Sequence, residues 1–273
     1  MLVSHEVPKA LLNKSRDWND YDYALLHLKP NKEYWDFYKE SINLGRKVLL
    51  DNSAFELGAG MSNEKLAEGI EDLHPTWYVV PDTLNDLHKT VSSWESWEKD
   101  FGGKYKGAIG CIQGSTYEEV IECYKYFADK ADKIAIPVAA VNYADNMFEG
   151  INSGTKTLER RWLGRTFLIR DLMNRGIWNF DKPHHLLGCT QAIEFRDPIY
   201  QYNCFDTLDT SNPIVAGLEG DVYGPFGLQN KSKTKLADLI EANPDENQLN
   251  IIENNVKIFK NIIGRQGGMY GRD

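Results

Sequence analysis

The sequence is poor in the features that would mark a secreted, membrane-bound or zinc-stapled protein. Its 273 residues hold four cysteines, Cys111, Cys123, Cys189 and Cys204, with no CxxC pair and no Cys/His spacing suited to a metal. That scatter excludes a disulfide framework and a structural zinc site, and it implies a reducing, cytoplasmic setting. No stretch approaches the roughly 20 consecutive apolar residues that a membrane helix needs. The opening MLVSHEVPKALLNKSRDW lacks an apolar core and a small-residue cleavage site, so no secretory signal is expected. Positive charge is also scarce, with 31 Lys+Arg against 40 Asp+Glu and a formal net charge of -9. A protein whose whole task is gripping phosphates is usually basic, so any cations used on nucleic acid must be concentrated locally.

What is present describes an ordinary globular chain. The apolar share is 42% and the charged share 26%, which excludes a disordered tail or a collagen-like fibre. Apolar runs rich in Val, Ile, Leu and aromatics recur as candidate strands: Leu2 to Ser4, Tyr23 to Leu28, Lys47 to Leu50 and Trp77 to Val80. They continue with Gly107 to Ile112, Lys133 to Val138, His185 to Gly188 and Cys204 to Asp209. Helical patterns lie between them, as in Asn63 to Leu73, Asp86 to Lys99 and Thr116 to Lys130, the last with Ser115 as its expected cap. Strands alternating with helices at this count predict an α/β fold, a (β/α)8 TIM-type barrel in one domain across 1–273. A doubly wound open sheet is the alternative, because periodicity does not show closure. Two segments break the rhythm. Residues 142–182, after the sixth strand, are too many for a simple loop. Residues 218–273 open Gly-rich and then read as a C-terminal helical segment.

In a barrel the active site forms where the strands end, so the closing residue of each run is the one to inspect. The third strand ends in Asp51-Asn52-Ser53-Ala54-Phe55, the fourth in Pro81-Asp82, the fifth in Gln113-Gly114 and the seventh in Leu187-Gly188. The eighth carries Asp206 and Asp209. Any one of these acids could simply cap the helix that follows. Together they suit displacement at a sugar carbon, in which one carboxylate attacks and another manages the proton.

In order and spacing these motifs resemble the tRNA-guanine transglycosylase superfamily, and more closely the short phage and bacterial DNA-guanine transglycosylases. The likeness rests on Asp51-Asn52-Ser53-Ala54-Phe55-Glu56, Pro81-Asp82, Ile112-Gln113-Gly114 with Tyr117-Glu118, His185-Leu186-Leu187-Gly188, and Asp206-Thr207-Leu208-Asp209 with Pro213. It implies an enzyme without a cofactor that replaces guanine in DNA, single-stranded or distorted, with a 7-deazaguanine (the 7-cyano or 7-aminomethyl base). For a phage-encoded copy the setting would be the host cytoplasm. By resemblance Asp209 is the nucleophile, with Asp206 its rival, and Asp51 is the general acid/base. Asn52, Asp82, Gln113, Gly114, Val138, Ala139 and Gly188 line the base site, while Phe55 and Leu187 sandwich the ring. A tRNA substrate with the same chemistry, or a non-catalytic nucleic-acid-binding subunit, is the alternative.

The sequence also departs from that family. Asn52 replaces Ser, Glu56 replaces Gln, and Pro137-Val138 stands where the family has Gly-Gly. The arginine after the nucleophile and the Cys-rich zinc subdomain are missing. The cations expected to meet a nucleic-acid backbone are Arg160, Arg161, Arg165 and Arg170, with Lys231, Lys233 and Lys235 as a weaker second group. A solvated helix face would explain the same charges. His184 and His185 have no third ligand at sensible spacing and read as structural residues or pocket-wall hydrogen-bonders.

Overall fold

In the computed structural model, residues 1–138, 157–189, 191–228 and 234–264 are described, with side chains from 162 onward in the helix that begins at 157. Eight parallel strands carry the fold: β1 (Leu2–His5), β2 (Asp22–Leu25), β3 (Val48–Asp51) and β4 (Trp77–Val79), then β5 (Ala108–Cys111), β6 (Lys133–Pro137), β7 (His184–Leu187) and β8 (Phe205–Thr210). Their order is β1-β8-β7-β6-β5-β4-β3-β2, so from β2 to β8 each strand pairs with the next in sequence and β8 returns to β1. The β1–β2 seam has no ladder of its own. There the Asp20 N–H donates to the Val3 carbonyl at 2.9 Å, the Asp20 carboxylate accepts the Val3 N–H at 3.0 Å, and Asn19 Oδ1 accepts the His5 N–H at 2.7 Å. The result is a nearly closed (β/α)8 barrel in a single domain, and the open-sheet alternative falls away.

The outer layer consists of α1 (Leu12–Trp18), α2 (Lys32–Asn43), the one-turn α3 (Ala54–Leu57), α4 (Asn63–Leu73), α5 (Leu87–Phe101), α6 (Tyr117–Lys130), α7 (Thr157–Asn174), α8 (Asn212–Leu218) and α9 (Glu246–Gly264). Side-chain acceptors start several of them: Asn31 for α2, Ser62 for α4 and Asp86 for α5. On α6 the cap is Thr116, one residue beyond the expected Ser115; Ser115 instead donates to the Glu119 carboxylate through its N–H at 2.7 Å and its hydroxyl at 2.6 Å. The second apolar run also divides, with β2 ending at Leu25 and Leu26–Leu28 forming a 3-10 turn.

Strand alternation sorts the core. Gly110 faces outward and is packed so closely by the Phe127 ring that a Cβ there would collide with it. Tyr23, Lys133, His185, Thr207 and Asp209 lie on the inward positions of their strands and meet one another inside the barrel. The C-terminal segment contributes α9, which packs on α8 where Gly217 meets Ile252. It also reaches the start of the barrel, where Phe259 meets His5 edge-on and Lys260 pairs with Asp20 at 3.0 Å. All four cysteines are described, free and buried. No helix among the described residues is long and apolar enough to cross a membrane.

Candidate active site

The turn after β3 is held in a conformation its sequence does not favour. Ser53 has φ +64°, a left-handed backbone that costs an L-residue about 1–2 kcal/mol. Three hydrogen bonds fix it there: Ser53 N–H to Asp51 Oδ1 at 2.6 Å, Ala54 N–H to Asn52 Oδ1 at 2.8 Å, and His27 N–H to Ser53 Oγ at 3.1 Å. The strained turn keeps the buried Asp51 carboxyl at the C-terminal mouth of the barrel and starts α3 on the rim.

Asp82 sits at the next strand end in a network of neutral donors. Asn52 Nδ2 donates to its Oδ1 at 2.7 Å and to the Val80 carbonyl at 2.9 Å. Gln113 Nε2 donates to its Oδ2 at 2.6 Å, while Gln113 Oε1 accepts the Asn85 N–H at 3.0 Å. Asn52 therefore braces β3 against β4, with its acceptor and both amide hydrogens engaged. The second Gln113 amide hydrogen rests on Cys111 Sγ at 3.6 Å, a weak sulfur acceptor. Gly114 admits no side chain, because a Cβ would lie 2.7 Å from the backbone nitrogen of Val120 at the start of α6.

Asp209 closes β8 on the same face. The Gly188 N–H donates to its Oδ1 at 2.8 Å. His185 Nε2 lies 3.1 Å from that same oxygen, near in distance but off the line of a hydrogen bond. Tyr23 stacks on His185, with centroids 6.2 Å apart and planes at 22°. Gly188, at φ +66°, turns the chain so that its amide reaches the carboxylate and its carbonyl accepts Arg165 Nη1 at 2.9 Å.

These acids sense one another. Burial raises the Asp51 carboxyl well above the ordinary aspartate range, and the charges of Glu56 and Asp82 push it further, while the Ser53 N–H and the Tyr23 hydroxyl favour its ionised form. Burial also raises Asp82, against the pull of the Asn52 and Gln113 donors. Glu56, on the solvent-accessible rim, is raised by the protein crowded around it and then by Asp209, with Lys235 opposing. No Lys or Arg among the described residues forms an ion pair with Asp51, Asp82 or Asp209. The arrangement raises the proton affinity of Asp51 beside a carboxylate held by neutral donors. Among the described residues no group of three or more His, Cys, Asp or Glu is placed to hold a metal ion.

Other expected site residues lie elsewhere. Asp206 falls at the irregularity in the β7–β8 pairing, where His184 pairs with Phe205 and His185 with Thr207, three residues before Asp209. Asp206 stands near the start of β8, bound to Lys133 Nζ at 2.6 Å, so it is not a rival nucleophile at the mouth. Arg165 is 0% exposed. Its guanidinium pairs with both Glu194 oxygens at 2.7 Å and donates to the Ile136, Leu187 and Gly188 carbonyls. It therefore braces the ends of β6 and β7 and has no surface for phosphate. Arg170 is on the surface, paired with Asp197 at 2.5 Å. The side chains of Arg160 and Arg161, and all of Ala139, Lys231 and Lys233, lie outside the described residues. Val138 is buried, its N–H on the Leu187 carbonyl at 2.9 Å. Leu187 is half-buried, and Phe55 is 52% exposed on the rim, with Lys235 Nζ 5.6 Å from its ring centroid.

Sequence reading missed Tyr23, the His185 approach to Asp209, and a second exposed aromatic, Phe226, whose ring carries the Arg196 guanidinium at 4.5 Å. The double histidine at the seventh strand was visible, and strand alternation could have assigned only one of the pair to the interior. Phe226 had no local signal beyond its glycine-rich surroundings.

No protein-family model matches the chain. It is 27% identical over 212 residues to the large ribosomal subunit protein uL3 of Methanosphaerula palustris. That similarity covers 67% of this chain and 58% of the ribosomal protein, so the chain spans less than two thirds of that relative.

Proposed function

We propose that this protein is a base-exchange enzyme that replaces guanine in DNA with a 7-deazaguanine through a covalent Asp209–nucleoside intermediate. The observation that carries this reading is the convergence of Asp51, Asp82 and Asp209 from three strand ends on one mouth, with no Lys or Arg among the described residues paired to any of them. A purely structural carboxylate would be expected to have a partner, because a buried unpaired charge is costly.

The chemistry divides among these residues. Asp209 attacks C1′ of the target nucleotide, forming a C1′–O bond as the C1′–N9 bond breaks and its electron pair leaves on guanine. Protonated Asp51 gives its proton to the departing base. The incoming deazaguanine returns its N9 proton to Asp51, attacks C1′, and expels the Asp209 carboxylate. Asp82 accepts from the N1 and N2 hydrogens of the base, and the Gln113 amide hydrogen that rests on Cys111 Sγ exchanges that weak acceptor for O6. Leaving such buried groups unanswered costs about 1–3 kcal/mol each, so a purine without that edge is rejected. Phe55 and Leu187 flank the ring.

A target base must leave its stack to enter a barrel mouth, which favours single-stranded or distorted DNA. Exposed Phe226 with Arg196, and Phe55 with Lys235, supply an aromatic face and a cation on which flanking nucleotides could rest. A ribosomal role like that of the similar protein would call for a surface that neutralises many RNA phosphates, and a net charge of -9 opposes it.

Labelled guanine incubated with the protein and single-stranded DNA, duplex DNA or bulk tRNA tests the reading. Incorporation into DNA, lost in Asp209→Asn and weakened through base affinity in Asp82→Ala, is expected. Incorporation into tRNA alone would move the substrate, and incorporation into none would leave a non-catalytic subunit.

A further inference from the structure

A polar column runs up the inside of this barrel, where bulky aliphatic side chains usually fill the space. It begins at Asp206, whose carboxylate is 38% exposed near the start of β8. Lys133 Nζ, almost fully buried, lies 2.6 Å from Asp206 Oδ2, 3.2 Å from Thr207 Oγ1 and 3.8 Å from the Trp77 ring centroid. Thr207 Oγ1 is 3.0 Å from His185 Nδ1. His185 Nε2 is 3.1 Å from Asp209 Oδ1.

The direction of each hydrogen bond follows from chemistry. A lysine ammonium has three donors and no acceptor, so Thr207 Oγ1 receives from Lys133. Its own hydrogen must then go to another acceptor. Among the described residues its remaining hydrogen-bond partner is His185 Nδ1. That nitrogen accepts, and a neutral imidazole with an accepting Nδ1 carries its proton on Nε2. The ring is 0% exposed and burial lowers its pKa, which keeps it neutral.

We infer that His185 is a positioning residue for Asp209: a Lys133–Thr207 relay fixes its Nε2–H tautomer, and that N–H, with the Gly188 amide, anchors Oδ1 so that Oδ2 faces the sugar. This rests on the base-exchange reading for its purpose, though not for its geometry. Among the described residues Nε2 has no aligned hydrogen-bond partner, and catalytic contacts of this kind often tighten when substrate enters. The opposite tautomer would set a lone pair against a carboxylate oxygen at 3.1 Å, which is unfavourable.

Nitrogen NMR of 15N-histidine-labelled protein reads the tautomer without any substrate, with His185→Gln identifying the signals. An unprotonated Nδ1 and a protonated Nε2, lost or mixed in Thr207→Val, is the expected result. A protonated Nδ1 overturns the inference whether or not the protein exchanges guanine. The functional arm is single-turnover formation of the covalent adduct. His185→Phe should slow it by about 10²-fold with guanine affinity unchanged, the size of loss a displaced reacting group produces. His185→Gln, which keeps an N–H near the Nε2 position, should recover most of that rate. A wild-type adduct rate in His185→Phe would also overturn the inference. Absence of any adduct in the wild-type protein would count against base exchange alone, with the tautomer still deciding this point.

Discussion

The two ends of the barrel treat the same residue type in opposite ways. At the end where the strands start, three aspartates have a cation: Asp22 takes Arg46 through two bonds of 2.7 and 2.9 Å, Asp20 takes Lys260, and Asp206 takes Lys133, while Asp132 accepts the Gly107 and Ala108 amides. At the end where the strands finish, Asp51, Asp82 and Asp209 are answered by backbone amides, an asparagine and a glutamine, with the His185 ring close to Asp209. Charge partners thus predominate at the end where the carboxylates only stabilise the fold. Carboxylates left with neutral donors in a shared mouth keep their charge and their proton affinity available to a ligand.

The contrast can be broken by substitution. Arg165 behaves as a brace, and Arg165→Met strands Glu194 as a buried carboxylate. The expected loss is about 3–5 kcal/mol, read as a lower midpoint in urea unfolding. A loss below about 1 kcal/mol would mean that the guanidinium is not held as described. Asp206→Asn should cost less, about 1–2 kcal/mol, because Lys133 loses its counter-ion while the Asp206 site is already partly open to water.

At the mouth the sign should reverse. Asp51→Asn is expected to raise stability by about 0.5–2 kcal/mol while abolishing exchange, as neutralising a strained catalytic acid commonly does. Its pH dependence follows from the raised pKa. Between the ordinary aspartate value and the raised one, the folded protein binds more protons than the unfolded chain, so stability falls as pH rises through that window. The gain from Asp51→Asn should therefore be largest at alkaline pH and vanish near pH 4; a gain independent of pH would contradict it. Exchange should also slow as pH rises through the same window, because the acid form is lost. The smallest effect belongs to Arg170→Ala, which removes a surface pair and should change the unfolding midpoint by less than about 1 kcal/mol.

Much of the fold was legible because parallel strands buried on both faces write continuous apolar runs, and helices between them write a different period. Asp51, Asp82 and Gln113 followed from the rule that barrel sites form at strand ends. The misreading of Arg165 has a physical source. A basic residue on a helix looks the same in sequence whether it meets water or a buried glutamate, and Glu194 is 29 residues away. Asp206 was not separable from Asp209 by counting, because the β7–β8 pairing slips at that residue and its partner Lys133 is 73 residues away. The polar column shares that limit, because each member reads as an isolated polar residue until β6, β7 and β8 lie side by side.

The most direct measurement is to trap the protein on a guanine-containing single-stranded oligonucleotide, digest the product, and map the modified residue by mass spectrometry. The expected result is a nucleoside linked to Asp209, absent from Asp209→Asn and reversed by added guanine. A linkage at Asp51 or Asp82, or a stable adduct that persists in Asp209→Asn, would contradict the division of labour drawn for the mouth.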